Sequence, residues 1–262
     1  MRVERCFAFV DLCGFTAFTE RYGDERTVVV LASFRTTLRE IAARRGVRIT
    51  KWLGDGAMLS SPDTGPTVAM VLEVAAHADA MLVLPPWGPD GDGPAGAGDG
   101  ADGYDDRLAI RAGLAKGPVI MFEGDDYIGR PTNVASRLCD AAMPGQVLAT
   151  RDVAALAPRW AAVSEPLTYH VRGFEKPLEA VRLATATSAS MVVDPTCGLA
   201  LPRLSGLVTR STGGPDGEGA GAGERAGNGT RRWTVEYFCS TACAVAWEEA
   251  QRAGATGFPL SP

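Results

Sequence analysis

The pattern of apolar and polar positions begins with a buried strand and a long helix. Residues 3 to 12, VERCFAFVDL, are rich in Val and Phe and end in a small turn at Cys13 and Gly14, which is typical of a buried strand. A helix-length segment follows. Between residues 25 and 45 apolar side chains recur every three or four positions, and the pattern stops at Gly46. The first two predicted elements are therefore a strand and a helix.

A hairpin and a second helix come next. The short apolar runs VRITKW and AMLSS are joined by Leu-Gly-Asp-Gly at residues 53 to 56, which is a hairpin signal. Residues 66 to 84 return to helical spacing. Residues 85 to 106 consist mainly of Pro, Gly and Asp with little to bury, so this segment is predicted to be a loop or a disordered insertion.

Beyond the insertion the chain resumes as a mixture of strands and one helix. LAIRAGLA and PVIMFEG have strand character, NVASRLCDAA is helical, and GQVLAT, LTYHVRG and EAVRLA supply three further strands. Hairpins combined with crossing helices predict an α+β fold, in which helices pack on a mostly antiparallel sheet.

A change of composition near residue 185 indicates a second domain. TATSAS, residues 185 to 190, resembles a linker, and the segment that follows carries its own cysteine. A second glycine-rich insertion interrupts this segment, which then closes as a strand and a helix. We therefore predict a larger domain over residues 1 to 184 and a small domain over residues 191 to 254.

Composition and charge limit the partners of the protein. The 262 residues are 46% hydrophobic and carry a net charge of −5, with no cluster of Lys and Arg among aromatic residues, so no nucleic-acid partner is expected. No segment reaches the roughly 18 uninterrupted apolar residues of a membrane span, and the N-terminal run is broken by charges, unlike a signal peptide. We expect a cytoplasmic protein with reduced cysteines, so clustered cysteines indicate a metal before a disulfide.

Two aspartates have sequence surroundings that suggest a metal site. Asp11 lies at the end of the first strand, where a carboxylate is costly unless it is paired, binds a cation or caps the following helix. Asp55 lies in a glycine-bounded turn, from which its side chain can project toward the end of a neighbouring strand. Two carboxylates that converge in this way would bind Mg²⁺ or Mn²⁺.

A third candidate is the helix that begins in DDYIGRPTNVASRL. Asn133 and Arg137 are four residues apart and therefore project from the same face of this helix. A polar face toward solvent is the alternative interpretation. The small or apolar residues between them indicate a packed helix, on which an arginine would be placed to meet a phosphate.

Four segments, taken in order along the chain, resemble the catalytic domain of the class III nucleotidyl cyclases: FAFVDLCGFTAFTE, KWLGD, DYIGRPTNVASRL and PGQVLAT. The resemblance covers residues 3 to 184, and VRGFEKPLEAVRL resembles the closing hairpin of that family. It implies a ferredoxin-like α/β sandwich that acts as an adenylate cyclase, converting ATP into 3′,5′-cyclic AMP and pyrophosphate.

The resemblance also implies roles for individual residues. Asp11 and Asp55 correspond to the aspartates that bind two Mg²⁺ or Mn²⁺ ions, with the backbone of Leu12 as a further metal ligand. Lys51 and Asp126 correspond to the pair that reads adenine. Guanylate cyclases of the family usually carry Glu and a small residue or Cys at those two positions, so ATP is favoured over GTP.

Asn133 and Arg137 correspond to the catalytic pair, which fixes the ribose and stabilises the transition state. Arg172 resembles the basic residue that binds the terminal phosphates. Backbone N–H groups of the turn into the first helix would bind the phosphates as well, and this turn comprises Cys13, Gly14, Phe15 and Thr16.

In the class III cyclases, which the sequence resembles, each active site is shared between two subunits, one of which supplies the metal-binding aspartates. A homodimer with two composite sites and an inactive monomer is therefore implied. The alternatives are a guanylate cyclase, or a catalytically silent protein that keeps the fold as a nucleotide-binding or metal-sensing scaffold.

The small domain resembles a different family. VVDPTCGLAL followed by EYFCSTACAVAWEEA is similar to the YHS domain, a small, treble-clef-like metal-binding module. Cys239 and Cys243 are spaced to place both thiols at the start of a helix, and Cys197 is a third candidate ligand for Zn²⁺ or another transition metal.

Three buried, reduced cysteines are the alternative interpretation of this trio, and it is the one preferred for Cys6, Cys13 and Cys139. No fourth ligand is evident from the sequence, because both histidines lie in the larger domain.

Overall fold

The computed structural model describes residues 1–81, 108–123, 126–186, 191–202, 207–212 and 234–254. The chain divides into two compact units, Met1–Ala184 and Thr185–Pro262. The insertion predicted at residues 85 to 106 lies outside the described residues. Among the helices of the described segments, none combines the length and the apolar composition needed to cross a membrane.

The first unit alternates strands and helices around one large sheet. Its elements are β1 (Arg2–Cys13), α1 (Phe15–Arg45), β2 (Arg48–Leu53), β3 (Gly56–Ser61), α2 (Thr64–Met81), β4 (Ala109–Phe122), β5 (Asp126–Ile128), α3 (Arg130–Ala141), β6 (Val147–Ala149), α4 (Arg151–Ala154), β7 (Ala161–Val163), β8 (Leu167–Tyr169) and β9 (Leu178–Thr185).

The strand order of this sheet is β2-β3-β1-β4-β6-β9-β7, with β5 paired to β4 and β8 to β9. β1 is antiparallel to both β3 and β4, whereas β4 and β6 are parallel. Helix α1 contacts α2, and α3 packs on β4 and β1. The predicted α+β fold with a mostly antiparallel sheet is confirmed.

Helix α3 packs very closely against β4. A Cβ atom at Gly113 would lie 2.2 Å from both the carbonyl oxygen of Ala135 and the backbone nitrogen of Cys139. Ala135 and Leu138 are fully buried in a core that also contains Phe7 of β1. The approach of the two backbones therefore sets the position of α3, and with it the position of its polar residues.

The structure differs from the sequence prediction in a few elements. LAIRAGLA and PVIMFEG form one strand, β4, because the long β1 pairs with it continuously from Arg2 to Cys13. Helix α1 begins earlier than predicted and is kinked at Gly23, which has a left-handed φ of 80°. The elements β5, α4 and β7, each of three or four residues, were not predicted.

In its described residues, the second unit contains two antiparallel strand pairs and one helix. Its elements are β10 (Met191–Val193), β11 (Ala200–Pro202), β12 (Val208–Thr212), β13 (Thr234–Phe238) and α5 (Thr241–Arg252). β10 pairs with β11 and β12 with β13, both antiparallel. The hydroxyl of Ser240 caps α5 by accepting the backbone N–H of Cys243 at 3.2 Å.

Candidate active site

Two predicted metal ligands lie beside each other at one end of the sheet. Asp11 is near the end of β1, and Asp55 is in the turn between β2 and β3. Pairing of β1 with β3 places Val10 opposite Ala57, which brings this turn against Asp11. A Cβ atom at Gly56 would lie 2.7 Å from the carbonyl oxygen of Val10 and 3.0 Å from Oδ1 of Asp11. Glycine at this position therefore allows the close approach.

Arg111 of β4 is a residue of this site that the sequence interpretation missed. It stands opposite Asp11 in the β1–β4 ladder, and its Nε and Nη2 donate to Oδ2 of Asp11 at 3.0 and 2.7 Å. The signal for it was a single basic residue within the apolar strand LAIRAGLA. Both side chains are partly exposed, so the ion pair faces an open site rather than the core.

The electrostatics around Asp55 favour a bound cation. Burial raises the pKa of the Asp55 carboxyl and the nearby Asp11 carboxylate raises it further, while a backbone hydrogen bond and Arg111 lower it. Two adjacent carboxylates, together with a backbone carbonyl such as that of Leu12, form the all-oxygen ligand set that Mg²⁺ and Mn²⁺ prefer. The residues present thus fit the metal ions that the sequence implies.

The turn from β1 into α1 follows directly. Gly14 adopts a left-handed conformation with φ 77°, which lets α1 begin at Phe15, and its carbonyl accepts the N–H of Phe18. Leu12 is buried, Cys13 is half-buried and Thr16 is exposed. Burial raises the pKa of the Cys13 thiol, whose charged neighbours are Arg111, Asp11 and Asp55. The turn therefore lies next to the carboxylates, with the first N–H groups of α1 at its end.

Lys51 and Asp126 contact each other. Lys51 is on β2 and Asp126 begins β5, and Nζ of the lysine forms an ion pair with Oδ1 of the aspartate. The two side chains are 45% and 47% exposed. The neighbouring Asp125 lies outside the described residues.

Asn133 and Arg137 project from α3, which begins at Arg130 with Pro131 in its first turn. Asn133 is exposed, and Nη1 of Arg137 pairs with Oδ2 of Asp140 at 2.7 Å. Both residues line a cavity of about 210 Å³. The other lining residues are Ser136, Arg172, Gly173 and Phe174. The structure therefore brings Arg172 to the same cavity as the Asn and Arg of α3.

Asp11 belongs to a different cavity of about 150 Å³. Its lining includes Gly56, which follows Asp55 at the turn, and Ser136, Cys139 and Asp140 from α3. Ser136 lines both cavities. Asp11 on the one hand, and Asn133 and Arg137 on the other, thus line separate cavities of the chain.

The fold matches solved nucleotidyl cyclases, although no family model matches the chain. The adenylyl cyclase CyaB from Pseudomonas aeruginosa aligns with 71% of this chain and 96% of its own length, at a TM-score of 0.58 and 24% identity. The guanylate cyclase domain of RhGC from Catenaria anguillulae, in complex with GTP, aligns with 71% and 100%, at a TM-score of 0.56 and 18% identity. The first unit has the class III nucleotidyl cyclase fold.

Curated relatives of the first unit, Met1–Ala184, which we call the cyclase unit below, are longer proteins. An uncharacterized protein of Mycobacterium tuberculosis is 31% identical over 176 residues, which are 67% of this chain and 40% of that protein. A protein of Streptomyces coelicolor named adenylate cyclase is 31% identical over 143 residues, 53% of this chain and 30% of its own length. The chain thus spans less than half the length of these relatives.

The cysteines divide between the cyclase unit and the second unit, and none is in a disulfide. In the cyclase unit, burial raises the pKa of Cys6 to about 11 and that of Cys139 to about 12. In the second unit, Cys197, Cys239 and Cys243 converge in one cluster.

Proposed function

We propose that the cyclase unit is an adenylate cyclase, which converts ATP into 3′,5′-cyclic AMP and pyrophosphate at composite sites of a homodimer. The main support for the proposal is that the candidate site residues lie in two separate places on the chain. A carboxylate pair with an adjacent arginine lies on one part of the chain, and a cavity lined by Asn133, Arg137 and Arg172 lies on another. Names of curated relatives, such as the Streptomyces coelicolor adenylate cyclase, support the same activity.

Adenine recognition is assigned to Lys51 and Asp126. Adenine offers an acceptor at N1 and a donor at N6, which match the ammonium group of Lys51 and the carboxylate of Asp126. In the nucleotide-free protomer these groups pair with each other. A pair that is about half exposed contributes only about 0–1 kcal/mol, so adenine can separate the two side chains at small cost. Guanine presents the opposite pattern of donors and acceptors at this edge.

Asp11 and Asp55 would hold two Mg²⁺ or Mn²⁺ ions, together with the backbone of Leu12. When bound, the ions lower the pKa of the ribose 3′-hydroxyl and neutralise the triphosphate. Arg111 keeps the Asp11 carboxylate in one orientation through its two hydrogen bonds. N–H groups at the start of α1, next to Asp11, would bind phosphate oxygens.

The reaction itself is an in-line attack of the 3′-oxygen on the α-phosphorus, with pyrophosphate as the leaving group. Arg137 stabilises the charge that grows on the α-phosphoryl oxygens, a role typically worth about 3 kcal/mol. Its ion pair with Asp140 is 43% and 56% exposed, so the guanidinium is available to turn toward phosphate. Asn133 orients the ribose, and Arg172 binds the terminal phosphates from the same cavity.

A second copy of the chain would complete each site. Asp11 and Arg137 line separate cavities, so one protomer does not bring both to a single nucleotide. The hairpin of β4 and β5 exposes three large apolar side chains, Ile120, Phe122 and Ile128, at 44%, 48% and 56%. Ile120 and Ile128 are directly opposite each other in the ladder. Such a strip favours burial against another protein surface.

The activity is tested by incubating the purified chain with Mn²⁺ and either ATP or GTP and quantifying both cyclic nucleotides. We expect cyclic AMP as the main product, and we expect Lys51→Glu to weaken the preference for ATP. Cyclic GMP as the main product would show that the adenine assignment is wrong. A dimeric protein that forms neither product would support the silent scaffold instead.

The composite site is tested by mixing inactive variants. Asp55→Ala and Arg137→Ala should each be inactive, whereas an equal mixture should regain about one quarter of the wild-type activity, because half of the dimers then contain one intact site of two. An equal mixture of Asp55→Ala and Asp11→Ala is the matched control and should regain no activity. In every dimer of this mixture, the subunit that supplies the aspartates to a site lacks one of them. An active wild type without recovery in the first mixture would contradict the shared site.

A further inference from the structure

The second unit contains a cluster of four potential metal ligands from two separate segments. Asp194 and Cys197 belong to the turn between β10 and β11, whereas Cys239 and Cys243 flank the start of α5. One ligand atom of each residue lies within 4.8 Å of those of the other three. Asp194, Cys197 and Cys243 are buried, and Cys239 is partly buried. The cluster lies wholly within the second unit and outside the cyclase site.

The spacing of the sulfur atoms suits a tetrahedral thiolate site. Sγ of Cys239 lies 3.7 Å from Sγ of Cys197 and 3.5 Å from Sγ of Cys243. Two thiolates that share a tetrahedral zinc ion, at a Zn–S distance of about 2.3 Å, are about 3.8 Å apart. Ser240 caps α5 at the N–H of Cys243, so this thiol lies in the first turn of the helix, where the dipole favours thiolate.

Asp194 is the member of the cluster that the sequence did not indicate. Its carboxylate is fully buried, and among the described residues no basic side chain pairs with it. Instead, Oδ1 accepts the backbone N–H groups of Thr196 and Cys197 at 2.8 and 3.3 Å, and Oδ2 accepts that of Cys239 at 2.7 Å. The carboxylate thus joins the two segments that carry the thiols.

These hydrogen bonds leave a lone pair of the carboxylate for a metal. An ionised carboxylate has about four acceptor positions, and Asp194 uses three. Carboxylates that ligate metals are themselves usually hydrogen-bonded, which fixes their direction. The hydroxyl of Thr196 adds a further link by donating to the carbonyl of Cys243 at 2.7 Å. The four groups are therefore held in place from both segments before any ion binds.

We infer that the second unit binds one thiophilic divalent cation of the Zn²⁺ class in a closed site, with Cys197, Cys239 and Cys243 as thiolate ligands and Asp194 as the fourth ligand. Three thiolates select a soft or borderline ion over Mg²⁺, and the carboxylate completes a tetrahedron. With the thiols ionised, four adjacent anionic groups, three of them in buried residues, are costly without a cation. With four protein ligands the ion has no open position, which makes the site structural rather than catalytic.

Metal content of the full chain is the first test, and it is independent of cyclase activity. The reduced protein is titrated with Co²⁺ while thiolate-to-metal absorption in the near ultraviolet is followed, since the oxygen ligands of the cyclase site give no such band. We expect saturation at one ion per chain. A variant with Cys197→Ser, Cys239→Ser and Cys243→Ser together should show no band. A wild-type titration equal to that of the triple variant would overturn the inference.

The role of Asp194 is tested on the Co²⁺-loaded protein by adding 2-mercaptoethanol. In the wild type the spectrum should stay unchanged, because the site is closed. In Asp194→Ala the added thiol should enter the vacated position and change the spectrum, and the affinity for Co²⁺ should fall at least tenfold. Glu249→Ala removes an exposed carboxylate of α5 and is the matched control, which should behave as wild type.

The wild-type measurement decides the question even if Asp194→Ala does not fold. A change of the wild-type spectrum on addition of 2-mercaptoethanol would show an open fourth position and would overturn the assignment of Asp194 as a ligand.

Discussion

The contact between Gly56 and β1 provides the sharpest prediction about the cyclase site. Replacing Gly56 by alanine places a methyl group 2.7 Å from the carbonyl oxygen of Val10 and 3.0 Å from Oδ1 of Asp11. Ordinary van der Waals contact begins near 3.4 Å, so β3 must move away from β1 by about 0.7 Å. The atom that it meets first belongs to the backbone, which cannot turn aside as a flexible side chain does.

This displacement should affect stability and activity together. Overpacking of this kind costs about 1–3 kcal/mol of the free energy of unfolding. Asp55 is the residue next to the change and Asp11 is one of the crowded groups, so both carboxylates shift. A misplacement approaching 1 Å at a catalytic group can lower the rate by up to about 100-fold. We therefore expect Gly56→Ala to lower the urea midpoint and to reduce the rate of cyclic AMP formation by about 10-fold to 100-fold.

Gly65→Ala is the matched control. It adds the same methyl group in α2, where the nearest atom outside the helix, the carbonyl oxygen of Leu156, would be at 3.6 Å. Alanine also favours the helix over glycine by up to about 1 kcal/mol, so this variant should be as stable as the wild type or more so. Urea unfolding followed by circular dichroism and initial rates with ATP and Mn²⁺ measure both effects. If Gly56→Ala matched Gly65→Ala in both measurements, the proposed crowding at Asp11 would be refuted.

Three further changes test other features of the cyclase unit. Arg111→Met removes a positive charge that lowers the pKa of Asp55, so the acidic limb of the pH–rate profile should move to higher pH; an unchanged limb would contradict this electrostatic role. Glu73→Ala removes the carboxylate that Nε and Nη2 of the buried Arg45 contact at 2.7 and 2.5 Å. We expect this change to lower the free energy of unfolding in urea by about 3–5 kcal/mol. Glu179→Ala breaks an exposed pair with Arg151 and should lower it by less than about 1 kcal/mol. Equal costs for these two variants would show that burial does not set the strength of the Arg45 pair. Cys6 and Cys139 should resist iodoacetamide at pH 8 in the native protein, because their pKa values of about 11 and 12 keep the thiols protonated. Both should react in urea, and mass spectrometry measures the extent of labelling. Labelling of the native protein at the rate seen in urea would contradict the burial of the two thiols.

The order of the main elements could be predicted because their signals are local. A run of residues rich in Val and Phe, ended by a small turn, identified β1, and the Leu-Gly-Asp-Gly turn placed Asp55 between two strands. The i, i+4 spacing placed Asn133 and Arg137 on one helix face, and both line one cavity. Each of these inferences depends on neighbours within a few residues, which the chain itself holds at fixed distances. The metal, nucleotide and dimer roles of these residues stay predictions.

The partners of these residues were decided by the tertiary structure. Arg111 meets Asp11 from 100 residues away, Lys51 meets Asp126 from 75, and Asp194 meets Cys239 from 45. Strand register and the packing of separate segments bring such residues together, and a register shift of one residue between β1 and β4 would separate Arg111 from Asp11. Sequence periodicity records which face a residue occupies, but not which distant residue lies opposite. Arg111 and Asp194 therefore became visible as parts of their sites only when the chain was folded.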